Sequence, residues 1–115
     1  MAIDSIAKQK SMAFSVRIVR LYKYLVNEHK EHIMSKQLLR CGTSIGANIA
    51  EAIYGSSRKD FVAKLQIALK ECAETLYWLE LLYNCDYLTA SMFRSLLNDC
   101  EEIRKILVAS VKSSQ

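Results

Sequence analysis

The side chains best equipped for chemistry in this chain are two histidines, four cysteines and a few polar residues set among apolar ones. His29 and His32 stand three apart and would share a helical face, a start on a divalent-metal site. They lie in the polar stretch Glu28-His29-Lys30-Glu31-His32 with no second ligand set, and the Glu-x-x-His motifs by which bundles hold paired metals are absent. Surface histidines are the expectation, and no metal. Cys41, Cys72, Cys85 and Cys100 contain no C-x-x-C unit, and no apolar leader precedes them. Cys41, Cys72 and Cys100 fall on apolar helical stripes, where a free thiol packs as a small hydrophobe. Reduced core cysteines in a cytoplasmic protein are therefore expected. No nucleophile–base grouping, phosphate-cradling glycine loop or cofactor signature occurs, so neither catalysis nor a cofactor is expected.

The remaining chemistry is polar residues beside core stripes. Ser44, Asn48 and Glu51 follow one another at four and three residues, on one helical face. Glu74 has apolar neighbours, and Arg40 could pair with Glu51 or with Glu74 across a helix–helix contact. A buried Arg–Glu–Asn network would fix packing register, at a cost if half satisfied. The alternative is a pocket for a ligand or partner.

Four helices must position these groups. The chain has no proline and three glycines, too little turn chemistry for an all-β fold. A first helix is expected from just after Asp4 or Ser5 to about Asn27, on a stripe of Phe14, Ile18, Leu21 or Tyr22, and Leu25, widened by Val19 and Val26. Ser35 is the candidate cap of a second, with Leu38, Cys41, Ile45, Ile49 and Ile53 facing inward. Gly42 and Gly46, four apart within it, each cost roughly 1 kcal/mol of helix propensity and so imply close backbone approach or a kink. Gly55-Ser56-Ser57 breaks the pattern, and Ser57 with Asp60 resembles a capping pair for a third helix, about Arg58 to Tyr83. Asn84-Cys85-Asp86 turns the chain, and Thr89 caps a fourth helix, striped by Phe93, Leu96 or Leu97, Cys100, Ile103 and Leu107. With short links this is an all-α, antiparallel up-down four-helix bundle filling residues 1–115 as one domain. No apolar run approaches the ~18 residues of a membrane span.

The third helix ends unusually. From Leu76 to Tyr83 only Glu80 interrupts apolar residues, so no single core can cover every side. Tyr77, Trp78 and Leu81 are the candidate subunit interface, since aromatic anchors favour such surfaces; a bulky cap on the core is the alternative.

Charge is uneven as well as basic. Net charge is +4, but residues 1–40 carry eight Lys/Arg against three Asp/Glu, and residues 41–115 eight against nine. A basic half beside a balanced one suits a polyanion or acidic partner, or simply a solvated face. Arg17, Arg20, Lys23, Arg40, Arg58, Lys59 and Lys64 are the candidate phosphate contacts. Aromatic residues do not interleave with them, which gives base stacking little support.

The segment Ser44-Ile45-Gly46-Ala47-Asn48-Ile49-Ala50-Glu51-Ala52 resembles the S-I-P-A-N-I-A-E-G signature of the four-helix-bundle family encoded in 23S rRNA intervening sequences. Ser35 to Arg40 fits its lead-in, and Ser57 to Phe61 with Ala68 to Leu82 resembles its second helical block. Gly46 stands where the family usually has proline, and Ala52 where it usually has glycine. The resemblance implies a bundle that assembles into a ring-like homopentamer, with Ser44, Asn48, Glu51 and Glu74 in shared polar positions. It implies no settled activity. A related branch, accessory proteins of diversity-generating retroelements, resembles a basic pentameric barrel that binds nucleic acid and a reverse transcriptase. The expectation is a non-enzymatic homo-oligomer binding RNA or a nucleic-acid-processing partner. A protein–protein adaptor is the alternative, and a small-molecule or metal-binding bundle around Asn48 and Glu74 a third.

Overall fold

A computed structural model describes residues 2–115, with side chains described from residue 6 onward. Four helices follow in order: α1 (Ala2–His29), α2 (Met34–Ile53), α3 (Arg58–Asn84) and α4 (Ala90–Ser114). Each packs on its sequence neighbour and α4 closes on α1, whereas the backbones of the diagonal pairs α1–α3 and α2–α4 stay more than 8 Å apart between Cα atoms among the described residues. The result is an up-down four-helix bundle with extents of 44 × 21 × 19 Å, and no strand among the described residues. α1 begins at Ala2, ahead of the expected start after Asp4 or Ser5, whose side chains lie outside those described.

The core follows the apolar stripes. Phe14, Ile18, Leu38, Ile45, Leu79 and Leu107 are fully buried, each stabilising by roughly 1.5–3 kcal/mol relative to exposure. Where the periodicity left a choice, Leu21 and Leu96 take the core, and Tyr22 and Leu97 lie half-buried. Cys41, Cys72 and Cys100 are buried free thiols and Cys85 is exposed. Burial pushes the Cys41 thiol up to about 11. Val19 departs from its expected inward place and is exposed.

The two α2 glycines serve close approach. A Cβ on Gly42 would lie 2.9 Å from two carbons of Ile18, and one on Gly46 would lie 3.3 Å from Ser15 Oγ. α1 thus seats Ile18 and small serines directly on α2 backbone.

The caps divide. Ser57 Oγ accepts from Asp60 N at 3.1 Å, and Thr89 Oγ1 from Met92 N at 3.1 Å, as their spacing predicts. Ser35 does not cap α2. It lies inside the helix, and the group that receives the orphan N–H groups is the Glu31 carboxylate, which accepts from Ile33 N (3.1 Å), Met34 N (3.0 Å) and Ser35 N (2.7 Å). The Ser35 hydroxyl donates instead to the Glu31 carbonyl at 2.7 Å. Burial of Glu31 would raise its pKa, but the three backbone N–H groups and Ser35 outweigh it and hold the carboxyl below its ordinary value. The chain reverses without positive-φ glycine: Lys30 (φ 54°) and Asp86 (φ 69°) take the left-handed positions. Asp86 closes α3 in a Schellman arrangement, with Tyr87 N donating to Leu82 O and Asp86 N to Tyr83 O.

Candidate binding surfaces

Arg40, on the second turn of α2, reaches across to α3 and meets two carboxylates. Its Nη2 lies 2.5 Å from Glu74 Oε2 and its Nη1 3.2 Å from Glu71 Oε2. Trp78, one turn beyond Glu74, donates its indole N–H to the same Oε2 at 3.1 Å. Hydrogen bonding to Arg40 and then to Trp78 holds the Glu74 carboxyl below the usual carboxylate range. Of Arg40's two expected partners, Glu74 is met and Glu51 is not; Glu51 pairs with Lys64 at 3.2 Å. Glu71 was not anticipated, although it precedes Glu74 by three residues and so shares its face. Asn48 and Ser44 stand apart from the network. Asn48 Nδ2 donates to Ser44 O at 2.8 Å and Ser44 Oγ to Arg40 O at 2.6 Å, both within α2. The Arg40 side chain is 52% exposed, so the expected buried network is instead a surface clasp between α2 and α3.

The basic residues divide by whether they have a carboxylate. Arg17 places Nη1 2.5 Å from Asp99 Oδ2 and Nη2 2.9 Å from Ser95 Oγ, joining α1 to α4. Lys10 pairs with Glu102 on the same seam. Arg17, Arg40 and Lys64 therefore spend their charge inside the bundle. Arg20, Lys23, Arg58 and Lys59 are exposed and enter no ion pair among the described residues. They do not form one face: Arg20 and Lys23 lie on α1, and Arg58 and Lys59 on the first turn of α3. Arg17 and Arg20 border a cleft of about 270 Å³ between α1 and α4, floored by Leu21, Tyr24, Met92 and Leu96. A second concavity, about 560 Å³, lies beside Arg58 and Lys59 where α3 begins and α4 ends.

Toward the end of α3 the apolar residues separate. Leu79 and Leu82 enter the core, and Tyr83 stacks on Phe93 of α4 with centroids 4.6 Å apart. Trp78 and Leu81 are half-buried, while Tyr77 is 58% exposed, edge-on to Trp78 at 5.1 Å. The outward apolar residues of α3 are thus fewer than its composition implied. A second outward stripe went unanticipated: Met12, Val16 and Val19 on α1, at the i, i+4, i+7 spacing that would have revealed it. His29 packs edge-on between Tyr24 and Tyr87, with Nε2 3.1 Å from Tyr24 Oη, and is not grouped with His32. Among the described residues no group of three His, Cys, Asp or Glu could hold a metal ion, and no helix is long and apolar enough to cross a membrane.

The model of the 23S rRNA-intervening sequence protein family matches residues 4–109, and the chain belongs to that family. Among solved structures, it is similar to a protein of unknown function of the S23 ribosomal protein family from Bacteroides thetaiotaomicron VPI-5482. The two are 57% identical with a TM-score of 0.94, over 96% of this chain and 98% of that one. No curated protein matches.

Proposed function

We propose that this family member is a non-enzymatic, self-associating binding protein of the cytoplasm, and that the assembly holds RNA through basic side chains that own no carboxylate. The observation that carries the reading is the adjacent pair Arg58 and Lys59, exposed on the first turn of α3 and outside every ion pair of the described residues. Two cations per chain bind a polyanion weakly. Repeated around the homopentameric ring that the family resemblance implies, they become a polyvalent basic rim whose contacts add by avidity. Arg20 and Lys23 form a second group of the same kind. Arg17, Arg40 and Lys64, already paired, contribute little.

The test is light-scattering mass coupled to size exclusion, with and without RNA, at low and high salt. An oligomer that binds RNA at about 50 mM salt, releases it by about 200 mM, and loses it on R58E/K59E substitution supports the reading. An oligomer indifferent to RNA overturns it in favour of a protein adaptor. That second reading draws on Tyr77, a large aromatic residue left exposed against Trp78.

A further inference from the structure

Tyr54 is 78% exposed, well beyond Tyr77, and enters no aromatic pair among the described residues. It closes α2 at the end of the bundle where α3 begins and α4 ends. Its backbone is fixed there, with Tyr54 N donating to Ala50 O and Gly55 N to Ala52 O. The turn that follows is tight as well. A Cβ on Gly55 would lie 2.5 Å from Asp60 Oδ2, and Ser57 Oγ accepts from Asp60 N to start α3. A held backbone carrying a free ring is a platform, because the apolar face of the ring gains by being covered.

Four residues on stand Arg58 and Lys59, exposed and outside every ion pair of the described residues. Four residues of chain span at most roughly 14 Å, the rise of about four stacked nucleotides at about 3.4 Å each. Asp60, the acidic residue next to them in sequence, turns its carboxylate back onto Gly55. Beyond the two cations lies the concavity of about 560 Å³, lined by Val62 and Ala63 together with Gln66, Ser114 and Gln115. No acidic side chain lines it. An aromatic face, two unpaired cations and a recess with amide and hydroxyl groups thus share one end of the bundle. The aromatic and the cations are separated in sequence by the Gly55-Ser56-Ser57 break, so residue spacing gave stacking little support; the tight turn is what brings them together.

We infer that this end of the bundle is a site for single-stranded RNA. One base stacks on Tyr54, the adjoining phosphate is taken by Arg58 and Lys59, and the next nucleotide enters the recess beside Gln66 and Ser114. An RNA duplex keeps its bases inside the stack and has no free face to offer Tyr54, so the site selects unpaired RNA. The inference rests on the RNA part of the proposed function and sharpens its ligand from a polyanion to an unpaired strand.

The test is fluorescence anisotropy with a labelled RNA single strand of about 15 nucleotides, and with the same strand annealed to its complement. Wild type, Y54A, Y54F and R58E/K59E are compared over a salt series, with circular dichroism to establish helicity. Tyr54 is exposed, so its variants retain the fold. Wild type binds the single strand more tightly than the duplex. Y54A weakens the single strand by on the order of tenfold while leaving the salt slope and duplex binding unchanged, and Y54F stays close to wild type. R58E/K59E weakens both ligands and flattens the salt slope. Wild type that binds neither ligand defeats the RNA reading, and this site with it. Single strand and duplex bound alike, with Y54A equal to wild type, overturn the stacking site and leave the RNA reading standing. Equal losses in Y54A and Y54F place the contact at the hydroxyl and overturn stacking on the ring. A Y54A variant whose light-scattering mass falls below that of wild type assigns Tyr54 to a protein contact and overturns the site.

Discussion

Replacing Glu31 by glutamine tests whether one carboxylate starts α2. The substitution keeps the side chain's size and one acceptor oxygen, but removes the negative charge and turns the other oxygen into a donor. Glu31 now accepts from three consecutive backbone N–H groups at the helix start. Losing the charge at that terminus costs about 1 kcal/mol, and leaving one buried N–H without its acceptor about another. The sum of about 2 kcal/mol lowers the melting temperature by about 8 °C at this chain length. The pH dependence separates this from simple loss of packing. A carboxyl held below its ordinary 4.5 contributes stability that is complete above that value and lost as pH falls through the folded one. The wild-type advantage over E31Q is therefore constant near pH 7 and narrows below about 4.5 as the native carboxyl protonates. Urea unfolding followed by far-ultraviolet circular dichroism, at matched protein concentration from pH 7 downward, measures both. A difference under about 0.5 kcal/mol at pH 7, or one that does not narrow on acidification, refutes the capping account.

Three further outcomes are expected. Gly42→Ala drives a methyl to 2.9 Å from Ile18 and destabilises by about 1–2 kcal/mol despite the better helix propensity, while Gly46→Ala meets Ser15 Oγ at 3.3 Å and Ser11 Cβ and O at 3.4 Å, a milder approach, and costs less than Gly42→Ala; urea midpoints decide the order. A thiol reagent titrates one cysteine per chain in the native protein, Cys85, and all four after denaturation, because Cys41, Cys72 and Cys100 are buried. Arg40→Met costs about 1 kcal/mol or less, since its pairs with Glu71 and Glu74 stand at the surface, and the loss shrinks with added salt.

The bundle was legible because its signals are local. Apolar spacing placed α2 and α4, and the hydroxyls of Ser57 and Thr89 marked where α3 and α4 begin. The start of α2 was misread because two residue types can do the same work. Ser35 has the usual capping side chain, but Glu31, four residues earlier, has the longer reach and the charge, and the left-handed turn at Lys30 brings it over the helix end. Val19 was placed in the core for a related reason: α1 is apolar on two sides, and spacing alone cannot say which side faces inward. Arg40's second partner was missed because pairing between helices depends on which faces meet, a property of the packed bundle rather than of either segment.

The uneven charge shows how far composition can mislead about partners. Eight basic residues in the first 40 read as a field aimed at something outside the chain. Three of them, Lys10, Arg17 and Arg40, are spent on carboxylates of α3 and α4, so much of the asymmetry is the bundle's own complementarity between its first and second halves. Such exposed pairs contribute little stability each, but they favour α1 beside α4 and α2 beside α3 over other arrangements of four similar helices. Of the candidate phosphate contacts, those that enter no ion pair among the described residues are Arg20 and Lys23 on α1 and Arg58 and Lys59 on α3. Those residues, rather than the net charge, are where mutation should change what the protein binds.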